Sequence, residues 1–226
     1  MCFSANASFS AGTVLTIIGI VTINKTNQKK QLLFAAIPFI FGIQQLSEGM
    51  LWVTLPKPAF TIIQHNATVT FLFFAQIVWP LLVPISILVL EKKEKRIIAQ
   101  KVLVGIGAIV CIYLAYCLLT MKVSSKIEGH HILYQQNYPS SLKNGSIVLY
   151  ALATIVPPFF SSIRGMWLLG TTILISYIIS AIFYEHYILS VWCFFSSVIS
   201  LAVYFVVKGM VDSSTPKLNY KSSMHH

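Results

Sequence analysis

The chain has 226 residues, of which 56 % are hydrophobic and only 10 % charged, with a mean hydropathy of +0.77. Soluble domains carry roughly 25 % charged residues, so the composition excludes an ordinary soluble fold and points to a membrane. The net charge of +10 does not indicate a nucleic-acid partner, because the lysines fall in short clusters between apolar runs, where topology signals belong; the partner they imply is an anionic lipid bilayer.

Seven stretches approach the roughly 20 apolar residues needed to cross a bilayer. They are 7–24, 31–54, 67–90, 97–121, 146–162, 165–184 and 188–208. With a tail over 209–226, they predict a single all-α integral membrane bundle, since no Gly-, Ser- or Pro-rich linker divides the chain. The fifth stretch is short and carries Pro157-Pro158, so it is kinked or partly re-entrant, and six crossings is the competing count.

The first stretch opens without Lys or Arg between Met1 and Ser10, unlike a secretory signal, and reads as an uncleaved helix entering from outside. Ser4, Asn6 and Ser8 can cap its start, and Gly12 and Gly19 leave room for a close neighbour. Lys25, Lys29 and Lys30 follow the first stretch; Lys92, Lys93, Lys95 and Arg96 follow the third; Arg164 follows the fifth; Lys208, Lys217 and Lys221 follow the seventh. The positive-inside rule puts these in the cytoplasm and the N-terminus outside. Lys122, Lys126 and Lys143 fall on the outer side and blur the bias; the dense EKKEKR cluster decides it.

The second stretch is unusual. Within FIFGIQQLSEGMLWV it carries Gln44, Gln45 and the carboxylate of Glu48. An ionisable group in a spanning helix is costly and marks a functional site by default, facing the bundle interior. At 3.6 residues per turn Gln44, Glu48 and Trp52 share a face, with Gln45 beside them, while Ile40, Ile43 and Leu51 suit lipid or packing. The plainer reading is a polar knot between helices.

Several reactive side chains fall on the outer side in this topology. Glu48 lies on the order of 9 Å deep. His130 and His131 occupy the largest outer loop, EGHHILY; His65, Glu185 and His186 sit in or beside other outer turns. In the last stretch Cys193, Ser196, Ser197, Ser200 and Tyr204 recur at helical spacing, with Trp192 at the interface. Such spacing serves close helix packing, and it can also wall a cavity opposite Glu48. Cys2, Glu48, His130, His131 and Cys193 offer the thiolate, imidazole and carboxylate ligands that suit zinc or copper, although adjacent histidines lack the spacing of a ligand pair. Cys111 and Cys117 lie within an apolar helix and read as inert.

Cys2 stands apart. Removal of Met1 would leave its thiol beside a free α-amine, the arrangement of an N-terminal nucleophile. It could equally serve as a ligand, as a disulfide partner of Cys193, or do nothing.

The blocks MCFSANASF, FGIQQLSEGMLW, GHHILY and SVWCFF together resemble a bacterial family of small multi-pass membrane proteins of unknown function that begin MCFSA. The resemblance covers nearly the whole chain and implies one integral domain in a bacterial inner membrane; Cys2, Glu48, His130, His131, Trp192 and Cys193 sit within its blocks. It implies no activity. Alkaline-ceramidase-like hydrolases and retinal proteins fit poorly, because the sole aspartate is Asp212 and Lys208 lies at the end of the last stretch.

The function expected first is a membrane hydrolase or transferase acting on a lipid or small molecule from outside. In it Glu48 is base or ligand, Cys2 nucleophile or ligand and His131 acid or base, with Gln44, Gln45, Trp52 and Trp192 as walls. The alternatives are a cation- or metal-binding or transport protein, and a non-enzymatic sensor or assembly factor.

Overall fold

A computed structural model describes residues 4–139, 143–183 and 195–214. Helix α1 (Ala5–Asn24) is capped by Ser4, whose Oγ accepts the Ala7 N–H at 3.3 Å. The chain then runs through a 3-10 turn (Lys29–Gln31), α2 (Leu32–Ala35) and α3 (Ile37–Thr54). Pro38 falls in the first turn of α3, where its missing N–H is not needed. α1 and α3 lie antiparallel and nearly in backbone contact: Gly12 faces Leu46, Gly42 faces Thr16, and a Cβ on Gly19 would stand 2.4 Å from the Phe39 nitrogen. The expectation that Gly12 and Gly19 admit a close neighbour is met here.

The longest element is a rod formed by a 3-10 turn (Pro58–Phe60), α4 (Thr61–Phe73), a π turn (Phe74–Val78) and α5 (Trp79–Leu90). The π turn and two prolines disturb its ladder in a definable way. Trp79 N–H reaches back five residues to Phe74, and Pro80 has no N–H. The Ala75 carbonyl therefore loses its helical donor, and the Tyr150 hydroxyl donates to it instead at 2.5 Å. Pro84 likewise removes the donor for the Pro80 carbonyl. Helix α6 (Glu94–Thr120) approaches that carbonyl through Gly107, where a Cβ would lie only 2.0 Å from the oxygen.

Where the sequence suggests a polar loop, the chain forms an antiparallel hairpin, β1 (Val123–Glu128) and β2 (His131–Gln136), with Glu128 opposite His131. Gly129, at φ 59°, takes the first central turn position, as a two-residue hairpin with glycine there requires. Among the described residues this sheet is the one addition to an otherwise helical bundle. It lies on the outer part of α4: Ser125 and Thr68 hydroxyls are 2.7 Å apart, and Tyr134 stacks on Phe71 at 4.4 Å.

After the hairpin come α7 (Lys143–Ile155), a 3-10 turn (Pro157–Phe160), α8 (Met166–Phe183) and α9 (Ser196–Ser214). Among the described residues six helical stretches are long and apolar enough to cross a membrane, and α7 is shorter. Thirteen residues rise only about 20 Å, against a hydrocarbon core of about 30 Å. The expected fifth crossing over 146–162 thus resolves into a short helix stopped by Pro157-Pro158.

The polarity of the bundle is inverted relative to a soluble protein. Gln44, Gln45, Glu48 and Gln100 are buried, while Ile98, Ile112, Leu119, Trp167 and Ile182 point outward. Leu51 is fully buried beneath the hairpin, and the outward face of α3 is instead Met50 and Val53. One end of the bundle carries the hairpin. The other carries the basic turns around Lys30, Lys92 and Arg164.

Gly107→Ala should force α6 off the Pro80 carbonyl and destabilise the folded protein by about 1–3 kcal/mol. Gly105→Ala, whose Cβ would meet nothing within 4 Å, should be neutral or mildly stabilising. Thermal unfolding in detergent compares the two; equal responses would contradict the close contact at Gly107.

Candidate functional site

The polar residues of α3 face inward because its outward stripe is apolar, and each finds a partner. The Trp79 indole N–H donates to Gln44 Oε1 at 2.7 Å, and Phe41 stacks on the same indole at 3.9 Å. Gln45 Nε2 donates to Glu48 Oε2 at 3.1 Å. Glu48 is completely buried, so its carboxylate sits where desolvation penalises charge and hydrogen bonds must offset that cost. Below it, toward the basic end, lies a cavity of about 60 Å3, lined almost wholly by apolar groups including Ile37, Trp79, Ile173 and Val203, with Gln44 at its polar edge.

Four buried serines lie on α1, α8 and α9. Ser196 lies one turn toward the hairpin end from Ile199, Ser200 adjoins Ile199 and Ser180 lies two turns beyond Ile173, on helices whose Ile199 and Ile173 line the cavity. Ser8 shares the face of α1 that carries Gly12 against α3. All four are buried, and their hydroxyls have no hydrogen-bond partner among the described residues. Native interiors pair nearly all buried polar groups, so these hydroxyls call for an explanation. Of the expected stripe on the last helix, Ser196 and Ser200 are buried, Ser197 and Tyr204 are half-buried and Cys193 lies outside the described residues. Ser8, expected as a cap, lies inside α1 while Ser4 takes the cap, and Ser180 carries no periodic signal in the sequence.

The remaining candidates are more dispersed. His130 is exposed at the hairpin turn and His131 lies in β2, where burial and the neighbouring His130 charge lower its pKa and keep it neutral near pH 7. Trp52 is half-buried and packs with Leu51, Ala67, Phe71 and Ile132 under the hairpin. His65 is exposed. Among the described residues no three His, Cys, Asp or Glu side chains gather as a metal site. Cys2, Trp192 and Cys193, together with Glu185 and His186, lie outside the described residues.

A second buried carboxylate went unmarked in the sequence because it belongs to the EKKEKR cluster. Glu91 sits between α5 and α6 and is 7 % exposed. Its Oε1 accepts the backbone N–H groups of Lys92 at 3.0 Å and Lys93 at 3.1 Å, and the Ser162 hydroxyl. Its Oε2 accepts the Ser162 N–H at 2.7 Å and the Ser161 hydroxyl at 3.3 Å. Arg96 donates to the Ser161 carbonyl, and Gln100 Nε2 to the Pro157 carbonyl at 2.7 Å. Burial alone would raise the Glu91 pKa; the hydrogen bonds from Ser162, Lys93 and Lys92 overcome it and bring the value down to about 2. This clamp ties the loop after α7 to the start of α6.

Because the folded pKa lies below the reference 4.5, the clamp stabilises fully above pH 4.5 and loses its contribution as pH falls toward 2; a shift of that size corresponds to about 3 kcal/mol. Glu91→Gln should lower stability at pH 7 and flatten the acid limb of the stability profile between those values. An unchanged acid limb in the variant would show that the clamp is not the titrating element.

No curated protein and no solved structure matches the chain. A family of unknown function, DUF6629, matches residues 1–217, and the chain belongs to that family.

Proposed function

We propose that the protein is a multi-pass membrane protein that binds a small polar or cationic molecule, reached from the outer face, at the Glu48 level. The fully buried Glu48 carboxylate beside Gln44 and Gln45 carries this reading, and four buried serine hydroxyls without partners among the described residues, on three helices of the same bundle, support it. Such hydroxyls can solvate a ligand in place of water, and Glu48 with Gln44 and Gln45 supplies charge and shape. A one-sided site is supported by the apolar lining toward the basic end, where Gln76 accepts from Tyr138 and Gln100 Nε2 donates to the Pro157 carbonyl, leaving Gln100 Oε1 as the buried acceptor without a partner on that side among the described residues. A binding site open to one face suits capture better than transport. The hydrolase or transferase reading is favoured by the same hydroxyls, since a carboxylate beside serine is a base beside a nucleophile. Cys2, Cys193 and His131 would join it as thiol, zinc or copper ligand, or acid.

The orientation proposed is N-terminus outside and C-terminus in the cytoplasm of a bacterial inner membrane. It is supported by the gathering of Lys30, Lys92 and Arg164 at one end and of the hairpin at the other. It counts α7 with its 3-10 turn as a seventh passage.

Two measurements test these readings. Thermal-shift titration of the purified protein with alkali cations, short amines, zinc and copper should give a saturable shift for at least one. Glu48→Gln should weaken it tenfold or more, and Ser196→Ala with Ser200→Ala by a smaller factor. No shift for wild type, with a Glu48→Leu variant at least as stable, would establish a polar knot instead. For topology, a reporter active only in the cytoplasm should give signal at the C-terminus and none when inserted within 128–143; the reverse result would move the site to the cytoplasmic side.

A further inference from the structure

The basic end holds a cleft of about 310 Å3 unconnected with the Glu48 level. Its walls come from four separated parts of the chain: Gln28 and Lys30 before α2, Lys92 after α5, Ser162 and Arg164 before α8, and Ser213 near the end of α9. Three cations therefore converge on one concavity from three connections. No acidic side chain lines it. The acid closest in sequence, Glu91, is ionised and bound to the backbone and hydroxyls of Lys92, Lys93, Ser161 and Ser162, so it offsets one of the three cations while its own oxygens face away from the lining. Glu94 and Asp212 are exposed on the flanking helices and lie outside the lining.

The cleft is also preorganised. The Glu91 clamp fixes the Ser161–Ser162 backbone against α6, and Gly165, at φ 84°, turns the chain directly after Arg164 into α8. Lys25, 5.8 Å from the Tyr204 ring, ties the end of α1 to α9 nearby. Leu90, Ile163 and Met210 supply an apolar floor, and Leu32 and Leu33 are exposed on the adjoining turn of α2.

We infer that this cleft binds the phosphate headgroup of an anionic phospholipid. The cations and the amide and hydroxyl donors suit a phosphate diester, and three cations against one adjoining carboxylate leave a net positive concavity, which attracts it more strongly than the same charges spread over a surface. The source is a lipid rather than free phosphate because an apolar floor and outward leucines adjoin the cations at a bundle end. An acyl chain can run along that face while the headgroup occupies the cleft. The inference is independent of the Glu48 reading, since it involves other residues at the opposite end.

The test is a titration of the full-length protein in neutral detergent with phosphatidylglycerol, followed by native mass spectrometry. Phosphatidylcholine and inorganic phosphate are the comparison ligands. Phosphatidylglycerol should bind saturably and at least tenfold more tightly than either. The triple variant Lys30→Gln, Lys92→Gln, Arg164→Gln should lose on the order of a hundredfold at low salt. A control removing the same charge from the hairpin end, Lys57→Gln, Lys122→Gln, Lys126→Gln, should bind like wild type; both variants retain the Glu91 clamp, and circular dichroism confirms their folding. Equal losses in the two variants would reduce the effect to net charge and overturn the site. Binding of inorganic phosphate as tight as that of phosphatidylglycerol would overturn the lipid assignment, and wild-type affinity in the Lys30, Lys92, Arg164 variant would overturn the inference altogether.

Discussion

A helix in an apolar surrounding must satisfy every backbone carbonyl internally, and the rod from Pro58 to Leu90 breaks that requirement at its own centre. The π turn and Pro80 strip the donor from the Ala75 carbonyl, and Pro84 strips it from the Pro80 carbonyl. An unpaired buried carbonyl costs about 1–3 kcal/mol, so the neighbours are constrained in identity and position. Tyr150 brings α7 to Ala75. Gly107 lets α6 close on Pro80. Gln44 takes the indole of Trp79 just past the π turn, and Tyr138 donates to Gln76 at 2.8 Å. Four elements are thus positioned by one irregular helix, and the cavity beside Gln44 is the space left where they meet.

Much of this is legible in the sequence at the level of pattern. Apolar runs of the right length give the helices, Gly12 and Gly19 the close pair of α1 and α3, and the Gln44–Gln45–Glu48 set an inward polar face. What stays hidden is tertiary or depends on geometry that a pattern does not encode. The prolines of WPLLVP suggest a kink, yet the Ala75 carbonyl and the Tyr150 hydroxyl that reaches it lie 75 residues apart. The hairpin is hidden because the paired histidines dominate EGHHILY, while its informative residue is Gly129, whose positive φ makes the turn. Leu51 reads as an outward residue on α3 because nothing in that helix announces a sheet packed over its end.

The two buried carboxylates show how similar residues reach opposite outcomes. Glu91 accepts from backbone amides and serine hydroxyls, and its pKa falls to about 2 although burial acts the other way. Its lone pairs are used up in holding a loop, which makes it a structural fastener. Glu48 lies between helices whose backbone N–H groups are committed to their own ladders, so only side chains can approach it. Gln45, its partner at 3.1 Å, comes from the same helix one turn away. The contrast lies in the donors: backbone amides at the end of a helix for Glu91, a side-chain amide in the middle of one for Glu48.

This difference extends to the two ends of the bundle. At the basic end, Glu91, Arg96, Gln100 and Lys25 tie four connections together, so the cleft they frame keeps its shape without a ligand. At the hairpin end, the sheet rests on α4 through stacking and one hydroxyl pair, while an ion pair between Lys126 and Glu128 at 2.5 Å is exposed and contributes little. Separating the helices at the basic end would break the Glu91 clamp and the bond from Gln100 to the Pro157 carbonyl. Both join segments about 60 to 70 residues apart, so the rigidity of that end follows from long-range hydrogen bonds to backbone groups, whereas the hairpin's own stability comes first from the ladder between two adjacent strands.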